Sequence, residues 1–378
     1  MFQIPFSVRR GLGAVYSSAV HLARLRLRDF RNYARLDAEF QPGFHLFVGD
    51  NAQGKTNILE AIYLVATLRS FRGVGGAQMI RHGQAGYFVG ASVLSDVEHE
   101  CRIYWSLKEK KLSLDGQPVR RLAEYLGTLR AVVFSSDDLQ LVKGPASRRR
   151  RLLDLLLTQT YPTYLPLLQR YTQALRSRNA LLKQRPPDDN ALDSFTRELV
   201  DAGNQLLRFR TELVPQLAPL AAGAYERIAG GLEHLTLAYQ PSVKKDFEVE
   251  LAQARARERL LRTTFIGPHR DELLLAIEGK PADQFGSEGQ KRSVAICLKI
   301  AQAEYLTAVH GTPPVLLIDD IMGELDARRR SAFVPLLQRV DRAGSQVFVT
   351  ATEENWPPEA GRNRHKWEVK AGRVGRLV

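Results

Sequence analysis

"FHLFVGDNAQGKTNILEAIYL", Phe44 to Leu64, changes character twice within a few turns of chain. Phe44 to Val48 is a short continuous apolar run, suited to a strand buried on both faces. From Thr56 onward TNILEAIYLVATL has neither glycine nor proline and reads as a helix. Between them, Gly49-Asp50-Asn51-Ala52-Gln53-Gly54-Lys55-Thr56 fits G-x-x-x-x-G-K-[ST]. Glycines let successive N–H groups wrap a phosphate chain, the lysine supplies a point charge, and the helix behind adds its positive end. In a plain strand-to-helix turn Lys55 would have no purpose. All eight residues from Gly49 to Thr56 are therefore expected to line a nucleotide site.

Two further stretches bear on that site. "PPVLLIDDI" is a buried strand ending in two acids, Asp319 and Asp320. A carboxylate there can hold Mg²⁺ beside Thr56, and the next can orient an attacking water. The bland reading, two acids capping the following helix, is weakened because Asp326 is better placed to cap ARRRSAFVPLL. "FGSEGQKRSVAICL", from Phe285, opens another helix, with Ser287 and Gln290 spaced as a capping box. Gly289 is a poor helix former, yet it would let bare N–H groups approach an anion.

These motifs, in this order, resemble the ABC-type ATPases. The resemblance implies that Ser287, Gly289 and Gln290 form a signature that meets the γ-phosphate held by the P-loop of a second subunit. "GELD", Gly323 to Asp326, resembles the loop running between the two sites. The stretches "LRLRDFRNYARLDAEFQPGFHLFVGDNAQGKTNILEAIYL", "VVFSSDDLQLVKGPASRRRRLLD", "FIGPHRDEL", "GSEGQKRSVAICLKIAQ" and "VLLIDDIMGELD" narrow the likeness to the RecF family within the SMC-like branch. It covers nearly everything from His21 onward. It implies a weak, DNA-stimulated ATPase that uses ATP and Mg²⁺, dimerises on ATP, and binds DNA at gaps and junctions. It further implies that RecO and RecR are partners in loading RecA. By the same likeness Lys55, Asp320 and Ser287 act in catalysis, Thr56 and Asp319 hold the metal, and Arg72 contacts phosphate. An ABC transporter subunit or another SMC-like head is the alternative. A transporter's switch histidine is missing, since "VFVTAT" offers Thr350 and Thr352, and Gln140 does not clearly replace its coupling glutamine.

The expected fold is α/β: an ABC-type P-loop ATPase head with a mixed sheet and a helical second lobe carrying a short antiparallel coiled-coil-like hairpin. Residues 21–140 and 310–378 would form lobe I, with both nucleotide motifs, and 141–309 lobe II, with the signature. The hairpin follows from apolar spacing. Leu165, Leu168, Tyr171 and Leu175 recur helically, and after RPPDDN the series Leu192, Phe195, Leu199, Ala202, Leu206, Phe209, Leu213 steps by three and four. Residues 1–20 are expected to be a loosely held extension rather than a signal peptide, because no sustained apolar core follows their arginines.

The chain of 378 residues carries a net charge of +13, enough to enrich a polyanion near its surface. Arg148, Arg149, Arg150 and Arg151 follow Ser147; if that serine caps a helix, four cations oppose its dipole, and DNA phosphate would compensate them, the alternative being a helix that begins near Pro145 with the arginines solvated or paired to acids. Recognition by backbone and shape is expected, since no base-reading module is evident. Two separated cysteines, Cys101 and Cys297, argue against a disulfide framework or zinc site and suit a reducing cytoplasm. No apolar run is long enough to suggest a membrane span.

Overall fold

The computed structural model describes residues 20–184, 188–321, 326–352 and 364–377. Its centre is a six-stranded sheet in the order Arg373–Leu377, Arg364–Lys370, Gly43–Val48, Gln346–Ala351, Val315–Asp319, Ala131–Ser135. Every pairing is parallel except that of the edge strand Arg373–Leu377, so the sheet is mixed. The strand before the P-loop thus lies between two strands from the far end of the chain.

Alternation along these strands feeds two cores. Phe44, Val132, Phe134, Leu316, Ile318, Val347 and Val349 face one side, while Phe47, Ala131, Val133, Val315, Leu317 and Phe348 face the other. Successive side chains leave a strand on opposite faces, and both faces here are covered, which is why the strands read as unbroken apolar runs. The second core is closed by the P-loop helix Lys55–Thr67 and an all-antiparallel sheet. That sheet runs Tyr33–Glu39, His21–Phe30, Gly86–Leu94, Glu98–Ser106, Lys110–Leu114, Gln117–Pro118. In His21–Phe30 the leucines Leu22, Leu25 and Leu27 are fully buried, as period-two spacing requires near the strand's middle. The first core holds the helices and a small sheet, Lys280–Pro281, Glu272–Ile277, Leu235–Gln240. Cys101 and Cys297 are free, buried thiols in different cores.

The hairpin is there, and its second helix is longer than the seam suggests. Tyr164–Leu181 packs antiparallel on Asp189–Ala229, a helix of 41 residues capped by Asp188, whose carboxylate accepts from the Ala191 N–H at 3.0 Å. Leu192, Leu199, Ala202, Leu206 and Leu213 are buried to 1% exposure or less, while Phe195 and Phe209 are partly exposed. The antiparallel register shows in the side-chain hydrogen bonds: Arg170 meets Glu198 and Asp201, whereas Arg178 meets Thr196. Beyond Leu213 the helix continues through Pro215 and Pro219, burying Leu217, Ala221, Ala224 and Tyr225 against the helix Glu288–His310. It is less a projecting arm than a strut into the lobe.

A polar centre anchors this lobe. Arg178, 1% exposed, ties Glu258 at 2.6 Å and Thr264 at 2.7 Å. Arg210 bonds Asp154 at 2.8 Å, Asp271 at 2.9 Å and the Pro268 carbonyl at 2.7 Å. Gly267 has φ +132°, and a Cβ there would lie 2.6 Å from the Tyr171 hydroxyl, so the GPHRD turn requires glycine. His269 serves this centre: its Nδ1 pairs with Tyr171 Oη at 2.6 Å and burial lowers its pKa to about 4.

Candidate nucleotide site

The P-loop is seated from three sides. Asn32 Nδ2 donates to the Gln53 carbonyl at 2.8 Å, and Tyr33 Oη to the Gly54 carbonyl at 3.1 Å. On the other flank Gly372 N donates to the Gln53 carbonyl at 3.2 Å, and Ala371 N to Gln53 Oε1 at 2.6 Å. Gly54 sits at φ +115°, and a Cβ would lie 2.5 Å from Asn32, so this close approach needs glycine. Gly49 is equally constrained, with the Val369 carbonyl oxygen 2.3 Å from where a Cβ would be. Asp50, Asn51 and Ala52 form the exposed rim, Ala52 with a left-handed backbone at φ +64°.

At the loop's centre Lys55, 7% exposed, donates through Nζ to the Gly49 carbonyl and, at 2.9 Å, to the Asp50 carbonyl. The helix it opens has no side-chain cap and no acid in its first turn. Its positive end is uncompensated, which favours an anion. Next to it Thr56 Oγ1 donates to Asp319 Oδ1 at 2.8 Å, joining two motifs 263 positions apart. Thr350 Oγ1 donates to the same carboxylate oxygen at 2.8 Å and accepts from the Asp320 N–H at 3.0 Å. Burial pushes the Asp319 carboxyl above its ordinary range, against the hydrogen bonds from Thr56 and Thr350. These groups fit a divalent cation: a desolvated carboxylate and a hydroxyl already in contact, beside a phosphate-binding loop.

Arg72 lies at the same end. Its Nη1 donates to Asn57 Oδ1 at 3.2 Å and stands 3.9 Å from Glu60, and its charge reaches Asp319. Glu60 is fully buried, held by Arg31 at 2.8 and 2.7 Å and by Ser70 Oγ at 2.5 Å. Sequence reading missed Asn32, Tyr33, Glu60 and Ser70; their roles rest on pairings that no local spacing announces.

The capping box forms as expected. Gln290 N donates to Ser287 Oγ at 3.2 Å, and Ser287 N donates to Gln290 Oε1 at 2.7 Å. Gln290 Nε2 also reaches Glu233 at 2.8 Å, and Gly289 faces Arg329, whose Nη2 would be 2.7 Å from a Cβ. Ser287 is exposed. Its neighbourhood, with Lys143 bonded to Glu288 at 2.6 Å, has no residue in common with the P-loop's seat of Asn32, Tyr33 and the Ala371–Gly372 turn. Of the GELD stretch only Asp326 is among the described residues; it caps its helix by accepting from Arg329 N at 2.8 Å.

The arginine run differs from expectation. The helix Ala146–Thr160 begins two residues ahead of the run, with Pro145 rather than Ser147 as its N-cap. Arg148 pairs with Asp137 at 3.1 Å, and Arg149 holds Glu272 at 2.7 and 2.9 Å. Arg150 donates to the Asp271 carbonyl at 2.6 Å and Arg151 to the Ser70 carbonyl at 3.2 Å. Each of the four guanidinium groups is thus bonded within the chain, to a different partner.

Comparison with known proteins agrees with this geometry. Residues 21–369 match the RecF/RecN/SMC N terminal domain. The DNA replication and repair protein RecF of Symbiobacterium thermophilum is 38% identical over 376 residues, covering 94% of this chain and 98% of its own. The protein of that name in Roseiflexus castenholzii is 37% identical and covers 94% and 99%. A solved structure of the recombination mediator protein RecF with ATP, from the RecFOR pathway, has a TM-score of 0.87 at 28% identity, spanning 97% of this chain and 100% of the other. The Smc head domain of Pyrococcus furiosus, at 16% identity and a TM-score of 0.56 over 95% and 96%, shares the fold. With the loop, the paired acid and the capped signature helix in one architecture, the chain belongs to the RecF family.

Proposed function

We propose that this protein is an ATP-dependent recombination mediator: two copies close on ATP, grip DNA at gaps and junctions, and assist RecO and RecR in loading RecA. The observation that carries the nucleotide reading is the 2.8 Å bond between Thr56 and Asp319 beside a loop whose lysine has only carbonyl partners. Thr56 and Asp319 would hold Mg²⁺, which when bound neutralises phosphate charge. Lys55 exchanges two main-chain carbonyls for phosphate oxygens. Asp320, with its N–H fixed by Thr350, orients the attacking water and accepts its proton. Arg72 is held within reach of the same phosphates.

Ser287 completes the site from the partner subunit. It is exposed, it caps a helix of 23 residues, and its hydroxyl can donate to phosphate while still accepting from Gln290. Sedimentation with ATP and Mg²⁺ tests the arrangement. The wild-type protein is expected to dimerise on ATP, with gapped DNA raising the dimer fraction. Ser287→Arg is expected to bind nucleotide as a monomer and to stay one. Normal dimerisation of that variant would sink the composite site.

A further inference from the structure

A cavity of about 510 Å³ lies between the C-terminal end of the P-loop helix and the helices Ala146–Thr160 and Tyr164–Leu181. It is separate from the P-loop and takes up two arginines of the run that the nucleotide site leaves unused. Its size is that of a small-molecule pocket. The walls are aliphatic, with Leu68, Leu122, Leu126, Leu155, Leu165 and Leu168 among them. Set into these walls are Arg150 and Arg151, each half-buried and each bonded to a main-chain carbonyl. Among the described residues neither forms a salt bridge. Desolvation draws both guanidinium groups below their ordinary range.

Two further buried polar groups of the wall have the same bias. Arg210, 2% exposed, has its Nε without a partner, and Gln159, 4% exposed, has its Nε2 without one. Both are donors. The one lining acid, Asp154, is already occupied by Arg210 at 2.8 Å and by Tyr164 at 2.5 Å. His269, also in the wall, is held neutral by burial and by its bond to Tyr171. A buried donor left without an acceptor is costly, and a desolvated cation more so. An oxyanion would satisfy these groups together, and the leucines would solvate an attached hydrocarbon.

We propose that this cavity binds a small amphipathic anion, an aliphatic body bearing a phosphate or carboxylate head, with Arg150 and Arg151 holding the head. Its occupant would be linked to the nucleotide site through Arg151 and Ser70. Arg151 donates to the carbonyl of Ser70, whose hydroxyl bonds Glu60 and accepts from the Arg72 N–H at 3.1 Å.

Calorimetric titration of the full chain with octyl phosphate, inorganic phosphate and octanol tests the site. Octyl phosphate is expected to bind one per chain, at least about tenfold more tightly than either fragment. Arg150→Gln together with Arg151→Gln should weaken it about tenfold or more while nucleotide affinity is kept. Leu168→Trp, which fills the cavity without touching a charge, should do the same and covers the case in which the arginine variant fails to fold. No saturable binding of octyl phosphate, or equal binding of inorganic phosphate, overturns the proposal. So does binding that survives Leu168→Trp.

Discussion

Asp319 shows how a single side chain can be poised. Its carboxyl is raised by burial, so it keeps its proton to a higher pH than a free aspartate would. Where that proton is held, a cation must compete with it. Mg²⁺ affinity is therefore expected to fall as pH is lowered, starting above the ordinary carboxylate range, and Asp319→Asn should flatten the dependence. Proton release on titration, compared in two buffers, measures it. Asp320 should behave differently: Asp320→Asn is expected to keep ATP binding, slow turnover roughly a hundredfold or more, and trap the dimer, as read by single-turnover phosphate release. Gly49 to Thr56 and Asp319 were read from spacing, because each motif is local; spacing gave Ser287 only as a helix cap, and its place at a phosphate came from the resemblance. Thr350 was legible only as the residue standing where a histidine was missing. Its bond to Asp319 arises from strand register, with Asp319 directly opposite Thr350, and register is not written in either strand by itself.

At the scale of elements, the signature helix read correctly and the arginine helix did not. Ser287 and Gln290 satisfy one another, so their sequence contains the whole interaction. The arginines find Glu272 123 positions away and Ser70 81 positions away, and charge counted along one helix could not reveal this. The seam was read from its spacing only as far as Leu213. The helix runs on through Pro215 and Pro219, both on its exposed side, because burial of Leu217, Ala221 and Ala224 on the opposite face outweighs the local penalty. The hairpin depends on Arg178. Arg178→Met is expected to destabilise the fold by about 3–5 kcal/mol, because Glu258, with 0% of its side chain exposed, would keep a charge and lose its partner. Denaturant unfolding with the midpoint shift converted at constant slope checks this. Replacing both residues by apolar ones of similar volume should recover much of the loss.

For the whole molecule, the surplus of +13 is the feature that composition states and the fold distributes. If about six phosphates are neutralised on binding, the plot of log K against log salt should fall with a slope near −5. Arg149→Gln should leave that slope unchanged, since its side chain is 11% exposed and already holds Glu272. A flat salt dependence would remove DNA as the reason for the charge. Fold class was legible because buried parallel strands, an antiparallel sheet and helices each carry their own periodicity. The order in which distant strands join was supplied only by resemblance.

The seat of the P-loop has a consequence for biosynthesis. Gly49 rests against Val369, Gln53 is held by Ala371 and Gly372, and the strand Gly43–Val48 has both its neighbours after residue 345. A ribosome that has released three hundred residues has therefore made the phosphate loop but neither of the strands that flank its own. Nascent chains should be blind to nucleotide until translation is almost over, and then acquire the site in one late, cooperative step.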